Sequence, residues 1–518
     1  ILSRNSGTQV QDFRKEITAD SVGTEAYNIA IGFNAGENIT TGVENTLIGG
    51  EAGDAMTTGS YNNLIGVSAG GAITIGRYNV ANGHGALSSN ILTDANVAVG
   101  FQALQAFVGD GSTNNQTTYN TAVGYRAGYA LSTGARNTLI GGLAGDTITT
   151  GNFNTALGYQ ALAAEDTGNY NTAIGYKALA LQDAGDAYNT AVGFSAGENM
   201  TTGVNNTLIG SLAGDALTTG VQNVAVGYQA LSTENAHGTV VAVGFQALKT
   251  QDAGANTYNV AVGYQAGVAV TTGIYNTLVG GLAGDALTIG NQNVAVGMLA
   301  LSTSVDGDNN TAIGYQALKD YEDGDGNGHN TAVGANSQLL ASTGEFNTSL
   351  GSLSMGVGVT TGDYNVALGY RAGEDLASAN TTTLVGAFAG LNLTSGINNT
   401  AVGYAALATE DAHGWNTAVG YAALNYLNAG DDSYNTAVGS GAGAAMTTGV
   451  RNTIMGGLAG DALTTGSYNV ALGRGALSTE DAGSRNVAIG YEALATQNAG
   501  VSVYNTAIGF QAADHITS

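Results

Sequence analysis

The residues with the plainest capacity for chemistry in this chain are acidic. Asp323-Gly-Asp325-Gly-Asn327-Gly328 sets side-chain oxygens at alternate positions, as the opening of a calcium-binding loop does. Such a loop closes with a bidentate Glu at its twelfth position, and Gly334 stands there. The stretch therefore reads as an acidic, Gly-rich turn. No metal site and no cofactor is expected, and Asp323, Asp325 and Asn327 are the nearest approach to a ligand set. Glu165-Asp166, Glu410-Asp411 and Glu480-Asp481 each offer two carboxylates, the groups that glycoside hydrolysis employs. They recur at one register of a repeat, whereas a catalytic pair is needed once, so the chain is not expected to be an enzyme. His84, His237, His329, His413 and His515 are scattered without ligand spacing.

These residues hang on a repeat. The phrase Asn-(Thr or Val)-Ala-(Val, Ile or Leu)-Gly is clean at Asn120-Thr121-Ala122-Val123-Gly124 and occurs 28 times between Asn28 and Gly509, usually every 17 residues. Its fifth position is always Gly, and its first is Asn except at Val240 and Thr382. Self-similarity at a fixed period marks units that bury themselves against their neighbours. Thr, Val and Ile favour strands, and Gly and Asn punctuate turns. Gly every few residues and the lack of a 3.6-residue apolar stripe disfavour helix. The expected fold is all-β: a parallel β-solenoid of about 28 coils, each of about 17 residues, with one strand over the phrase and a second over segments such as Thr149-Thr150. Residues 1–25 read as an N-terminal connector or cap, and 26–518 as the repetitive shaft.

Alternation gives each strand a large face (Thr121, Val123, Tyr125) and a small face (Ala122, Gly124). We expect the large face to fill the coil. The small face, with Gly124, Gly193, Gly263 and Gly439, would then lie on the axis of a trimer, where other backbones come close. The Asn column should link its amides along the stack. The sixth position is often aromatic, as at Tyr125, Tyr159, Phe194 and Tyr228, and should form an interrupted stack that packs rather than binds. A second period of about 70 residues orders the variants: Tyr-x-Ala-Gly, then Gly-Leu-Ala-Gly-Asp, then two copies ending in Ala-Leu. The acidic pairs in and beside the longer coils read as solvated loops.

The formal charge is -26, with 13 basic residues in 518. Nucleic acid is thus excluded as a partner, since phosphate binding needs clustered Lys and Arg. No run of about 18 apolar residues is present, so no membrane insertion by a helix is expected. The chain holds no Cys, which rules out a disulfide framework. It begins at Ile1, and it stops at Ser518 before the coil opened at Asn505 closes, which predicts a further C-terminal piece.

Tyr258-Asn-Val-Ala-Val-Gly-Tyr-Gln-Ala266 resembles the repeats of bacteriophage tail-fibre and tail-spike proteins. It is also similar to the head repeats of trimeric autotransporter adhesins. The resemblance spans about residues 26 to 513. It implies a left-handed parallel β-roll, three chains around one axis, and a fibre on a virion that serves host-cell attachment. It further implies contact with other virion proteins through the N-terminal segment, and a glycan or protein receptor on the host. A bacterial surface adhesin and a polysaccharide-degrading spike are the alternatives. The 17-residue coil departs from the adhesin pattern, and no heptad stalk or membrane anchor is present in this sequence. Both departures favour the phage reading; the expected location is the virion, with an extracellular surface as the alternative.

Overall fold

Every copy of the phrase forms one three-residue strand over its second to fourth positions, and inside each of the chain's two units successive strands pair in parallel, one coil apart. Thr121–Val123 sets Thr121 opposite Thr138, Ala122 opposite Leu139 and Val123 opposite Ile140. The structure, a computed structural model, describes residues 27–109, 116–322, 328–502 and 504–516. The 1–25 segment and the candidate ligands Asp323, Asp325 and Asn327 lie outside them. The chain falls into two compact units, 1–257 and 258–518. Each is a parallel β-solenoid with about 17 residues per turn and no helix among the described residues. The first holds thirteen copies of the phrase and the second fifteen.

Among the described residues the expected second strand is, with few exceptions, not formed. Around Thr57 the backbone N–H groups of Thr57, Thr58 and Gly59 all converge on the Thr74 carbonyl, at 2.8, 3.2 and 3.2 Å. Three donors sharing one acceptor cannot extend into a ladder, so this side of the coil is a tight, hydrogen-bonded turn. The exceptions among the described residues are one short pair, Thr93–Asp94 with Gln116–Thr117, and a single parallel bridge between Asn169 and Asp186.

The two faces are the reverse of the sequence expectation. Ala122 is fully buried, Thr121 and Val123 are half-buried, and Tyr125 is 54% exposed. The small residue lies inside because a 17-residue coil is narrow. Its interior takes the Ala of the phrase, a second Ala at the eighth position (Ala127, Ala144, Ala161) and few large aliphatic side chains, all without exposure. The 70-residue period follows from the volume of these large groups. Where the ninth position is Gly, as at Gly128 and Gly197, the twelfth is Leu131 or Met200. Where the ninth is Leu in a 17-residue coil, the twelfth is polar, as Glu165 after Leu162 and Glu234 after Leu231, whereas the longer coils at 96, 310 and 416 take Phe107, Tyr321 and Leu427 there as well. In the 17-residue coils the exchange is one of space: a Cβ on Gly128 would meet Leu139 at 2.8 Å and Leu104 at 2.9 Å.

The glycines assigned to a trimer axis have another task. A Cβ on Gly124, Gly193, Gly263 or Gly439 would stand 2.4, 2.3, 2.3 or 2.5 Å from the carbonyl oxygen of the Gly one coil on, and each has φ between 140° and 148°. The backbone that comes close is the chain's own, which is why Gly never varies at the fifth position.

Candidate functional site

The first polar feature is the asparagine spine. Asn137 donates its backbone N–H to Asn120 Oδ1 (3.0 Å) and its Nδ2–H both to that oxygen (3.2 Å) and to the Gly151 carbonyl (2.8 Å). Asn154 repeats this on Asn137 Oδ1 at 2.9 Å. The expected amide ladder is present, and every spine residue from Asn45 to Asn120 is at least 98% buried. Thr382 replaces an amide by donating its hydroxyl to the Gly396 carbonyl (3.3 Å).

The second feature is a set of buried carboxylates that the sequence places on the surface. Glu165, Glu234, Glu410 and Glu480 have no exposure, whereas Asp166, Asp411 and Asp481 beside three of them are exposed. The two carboxylates of each pair thus occupy different surroundings. Each Glu fills the twelfth position and accepts a backbone N–H three residues on: Gly168 and Gly483 at 2.6 Å, His237 at 3.1 Å and His413 at 3.2 Å. Gln497, at the twelfth position of the following coil, donates to Glu480 Oε2 at 3.0 Å, and Gln251 to Glu234 Oε2 at 3.4 Å.

Burial pushes the Glu165 carboxyl up to about 7, with the Gly168 N–H opposing it, and raises Glu410 as well. The folded chain therefore holds the Glu165 proton more tightly than the unfolded chain does. Stability is greatest below the unfolded value and falls as pH rises through about 7. Replacing Glu165 with Gln should flatten this slope and raise local stability at pH 8 by about 2 kcal/mol. Hydrogen exchange of the 154–171 coil at pH 5 and pH 8 would reveal it; a wild-type chain equally protected at both would refute it.

Two of the histidines prove to be paired in one register. Glu234 and His237, and Glu410 and His413, bring Oε1 within 3.3 and 3.2 Å of Nδ1. With Asp252 or Asp411 they form triads whose ligand atoms lie within 4.8 Å of one another. In both, the glutamate already accepts the histidine main chain, so the arrangement reads first as a turn lock. The Glu-x-x-His spacing was the available signal. Gly66-Val-Ser68-Ala-Gly70 and Gly193-Phe-Ser195-Ala-Gly197 have the spacing of a nucleophile elbow. They sit on the repeat's ordinary turn. Ser68 bonds to Glu51 (3.2 Å) and Ser195 to Glu198, with no histidine among their partners.

The sixth-position aromatics stack as expected, for instance Tyr176 on Phe194 at 5.1 Å and Tyr404 on Tyr421 at 5.5 Å. A second column, unforeseen, runs through the residue before each Asn: Phe153, Tyr170 and Tyr188 at 5.2 and 4.8 Å. The recurrent Tyr-Asn dipeptide was its trace. Arg451 and Arg485 enter this column between Tyr434, Tyr468 and Tyr504, each 5.4–5.9 Å from the ring centroids. Rings stacked face to face turn only their edges outward, which leaves few open faces for a ligand. A shallow groove of about 670 Å³ in the first unit is lined by Thr133, Arg136, Thr150, Asn152, Thr167 and Asn169. Among the described residues no helix is long and apolar enough to cross a membrane. Comparison with protein-family models and with curated proteins finds no match.

Proposed function

We propose that the chain is the shaft of a virion fibre of the phage tail-fibre or tail-spike kind, assembled as a homotrimer and serving host-cell attachment or structural extension. The supporting observation is the way the polar groups are used. The buried asparagines link coil to coil, the buried glutamates hold the turns of their own coils, and the repeated aromatics stack on each other. A chain built in this way is suited to hold a spacing, with contact to a host glycan or protein at its surface or at an end. Antibodies raised against the chain should decorate thin fibres on virions from the source and block their adsorption to host cells. Decoration of the bacterial envelope instead would favour the adhesin reading. Decoration of neither would end both.

A further inference from the structure

The turn at Glu410 differs from a sister turn by one residue. Glu410-Asp411-Ala-His413 and Glu480-Asp481-Ala-Gly483 occupy the same register and are otherwise identical. In both, the main-chain N–H at the fifteenth position donates to the buried glutamate, at 3.2 Å from His413 and at 2.6 Å from Gly483. Glycine therefore suffices to lock the turn, and the imidazole of His413 is surplus to that task. The imidazole sets Nδ1 3.2 Å from Glu410 Oε1. Asp411 completes a triad whose ligand atoms lie within 4.8 Å of one another.

A second, independent observation concerns the other oxygen of Glu410. In the sister turn, Glu480 Oε2 accepts from Gln497 Nε2 at 3.0 Å and from the Ala499 N–H at 3.3 Å. The residue that corresponds to Gln497 beside Glu410 is Leu427, which has no donor. Glu410 Oε2 is fully buried, and no hydrogen bond reaches it; the Ala429 N–H approaches without bonding geometry. A buried carboxylate oxygen without a partner is costly. No Lys or Arg occurs in the chain between Arg371 and Arg451, so the coils around Glu410 supply no fixed positive charge.

We infer that Glu410, Asp411 and His413 bind a divalent transition-metal ion of the Zn²⁺ kind, with the Glu410 carboxylate and His413 Nδ1 as the inner ligands, Asp411 as the third, and water on the open side. The 3.2 Å between Oε1 and Nδ1 matches the edge of a tetrahedron, about 3.3 Å for bonds of about 2.0 Å. A proton between these two atoms would satisfy both and leave Oε2 as it is, whereas a metal ion serves the whole carboxylate. An imidazole nitrogen among carboxylate oxygens suits Zn²⁺, while Ca²⁺ takes six to eight oxygens. His413 and Asp411 reach solvent and leave the ion a way in. The Glu234–His237–Asp252 triad offers the same kinds of ligand in the same register, but there Gln251 donates to Glu234 Oε2 at 3.4 Å. It is therefore the weaker site. The inference does not depend on the fibre reading.

The test is a calorimetric Zn²⁺ titration of the full chain in excess Ca²⁺, which fills oxygen-only sites on the acidic surface. The wild type should show one site per chain that is tighter than any other. His413→Gly should lose it, with a drop in affinity beyond the roughly 10–100-fold that loss of an outer partner costs. This variant should fold, since it restores the sequence of the Glu480 turn. Zn²⁺ should also slow hydrogen exchange of residues 409–416 in the wild type and not in the variant. His237→Gly is the control and should keep the tight site. If His413→Gly loses the protection of its coil without metal, Glu410→Gln, which keeps the size of the side chain and removes its charge, decides in its place by the same loss. No saturable Zn²⁺ binding by the wild type, equal binding by the variant, or loss of the tight site from His237→Gly instead would overturn the assignment.

Discussion

Gly193→Val should unravel the coils around it. The valine Cβ would lie 2.3 Å from the Gly210 carbonyl oxygen, and the backbone at φ 148° is one that a branched residue does not adopt. Overpacking and backbone strain together should cost about 4 kcal/mol or more. The expected readout is loss of hydrogen-exchange protection over roughly residues 172–226, with distant coils retained, because each repeat rests mainly on its neighbours. Gly185→Ala is the control. Gly185 also has a positive φ, 72°, but nothing stands within 4 Å of its Cβ position, so the change should cost only about 1 kcal/mol. If both variants were equally tolerated, close backbone stacking would not be what holds Gly at the fifth position.

Asn137→Leu should be nearly as damaging by a different route. It removes the acceptor for the Asn154 N–H and the donor to the Gly151 carbonyl, and leaves both groups buried without partners. Each orphaned group costs about 1–3 kcal/mol, so a loss of about 3–5 kcal/mol is expected. Asn137→Thr should cost less, because the Thr382 hydroxyl already reaches the matching carbonyl in its own coil. Thermal unfolding and exchange of the 120–171 coils would rank the two. A leucine variant as stable as the threonine one would show that the spine is dispensable.

Much of the fold was legible in the sequence, for definable reasons. The period, the strand register and the asparagine ladder follow from identical residues at identical spacing, because such residues must lie above one another in a solenoid. Inside and outside were not legible. Alternation separates Ala122 from Thr121 and Val123 but does not say which set the coil can enclose, and the answer depends on the width of the coil. The buried glutamates were hidden because Glu165 and Asp166 are the same kind of letter; only the trade of Leu162 against Leu131 between the ninth and twelfth positions shows that Glu165 occupies a core slot. The His237 and His413 pairings depend on a turn that closes three residues after a buried acid, and sequence spacing alone does not show that the acid is buried. The second strand failed because Thr-Thr carries β-propensity while its N–H groups share a single acceptor.

The direction of the hydrogen bonds has a mechanical consequence. Within a unit, the ladder bonds, the bonds from one spine residue to the Oδ1 of the spine residue before it, and the bonds of the Thr-Thr turn run from one coil to the next. Tension applied to the two ends of a unit therefore loads the coil–coil contacts in series, while the bonds inside any one contact share the load. The contact at Thr382, where a hydroxyl stands in for an amide, is a place for the first yield. A coil that lets go frees 17 residues, at most about 60 Å of chain, and leaves its neighbours closed. Such a material gives way in near-equal steps and takes up work coil by coil, a property that suits a part placed between two moving bodies.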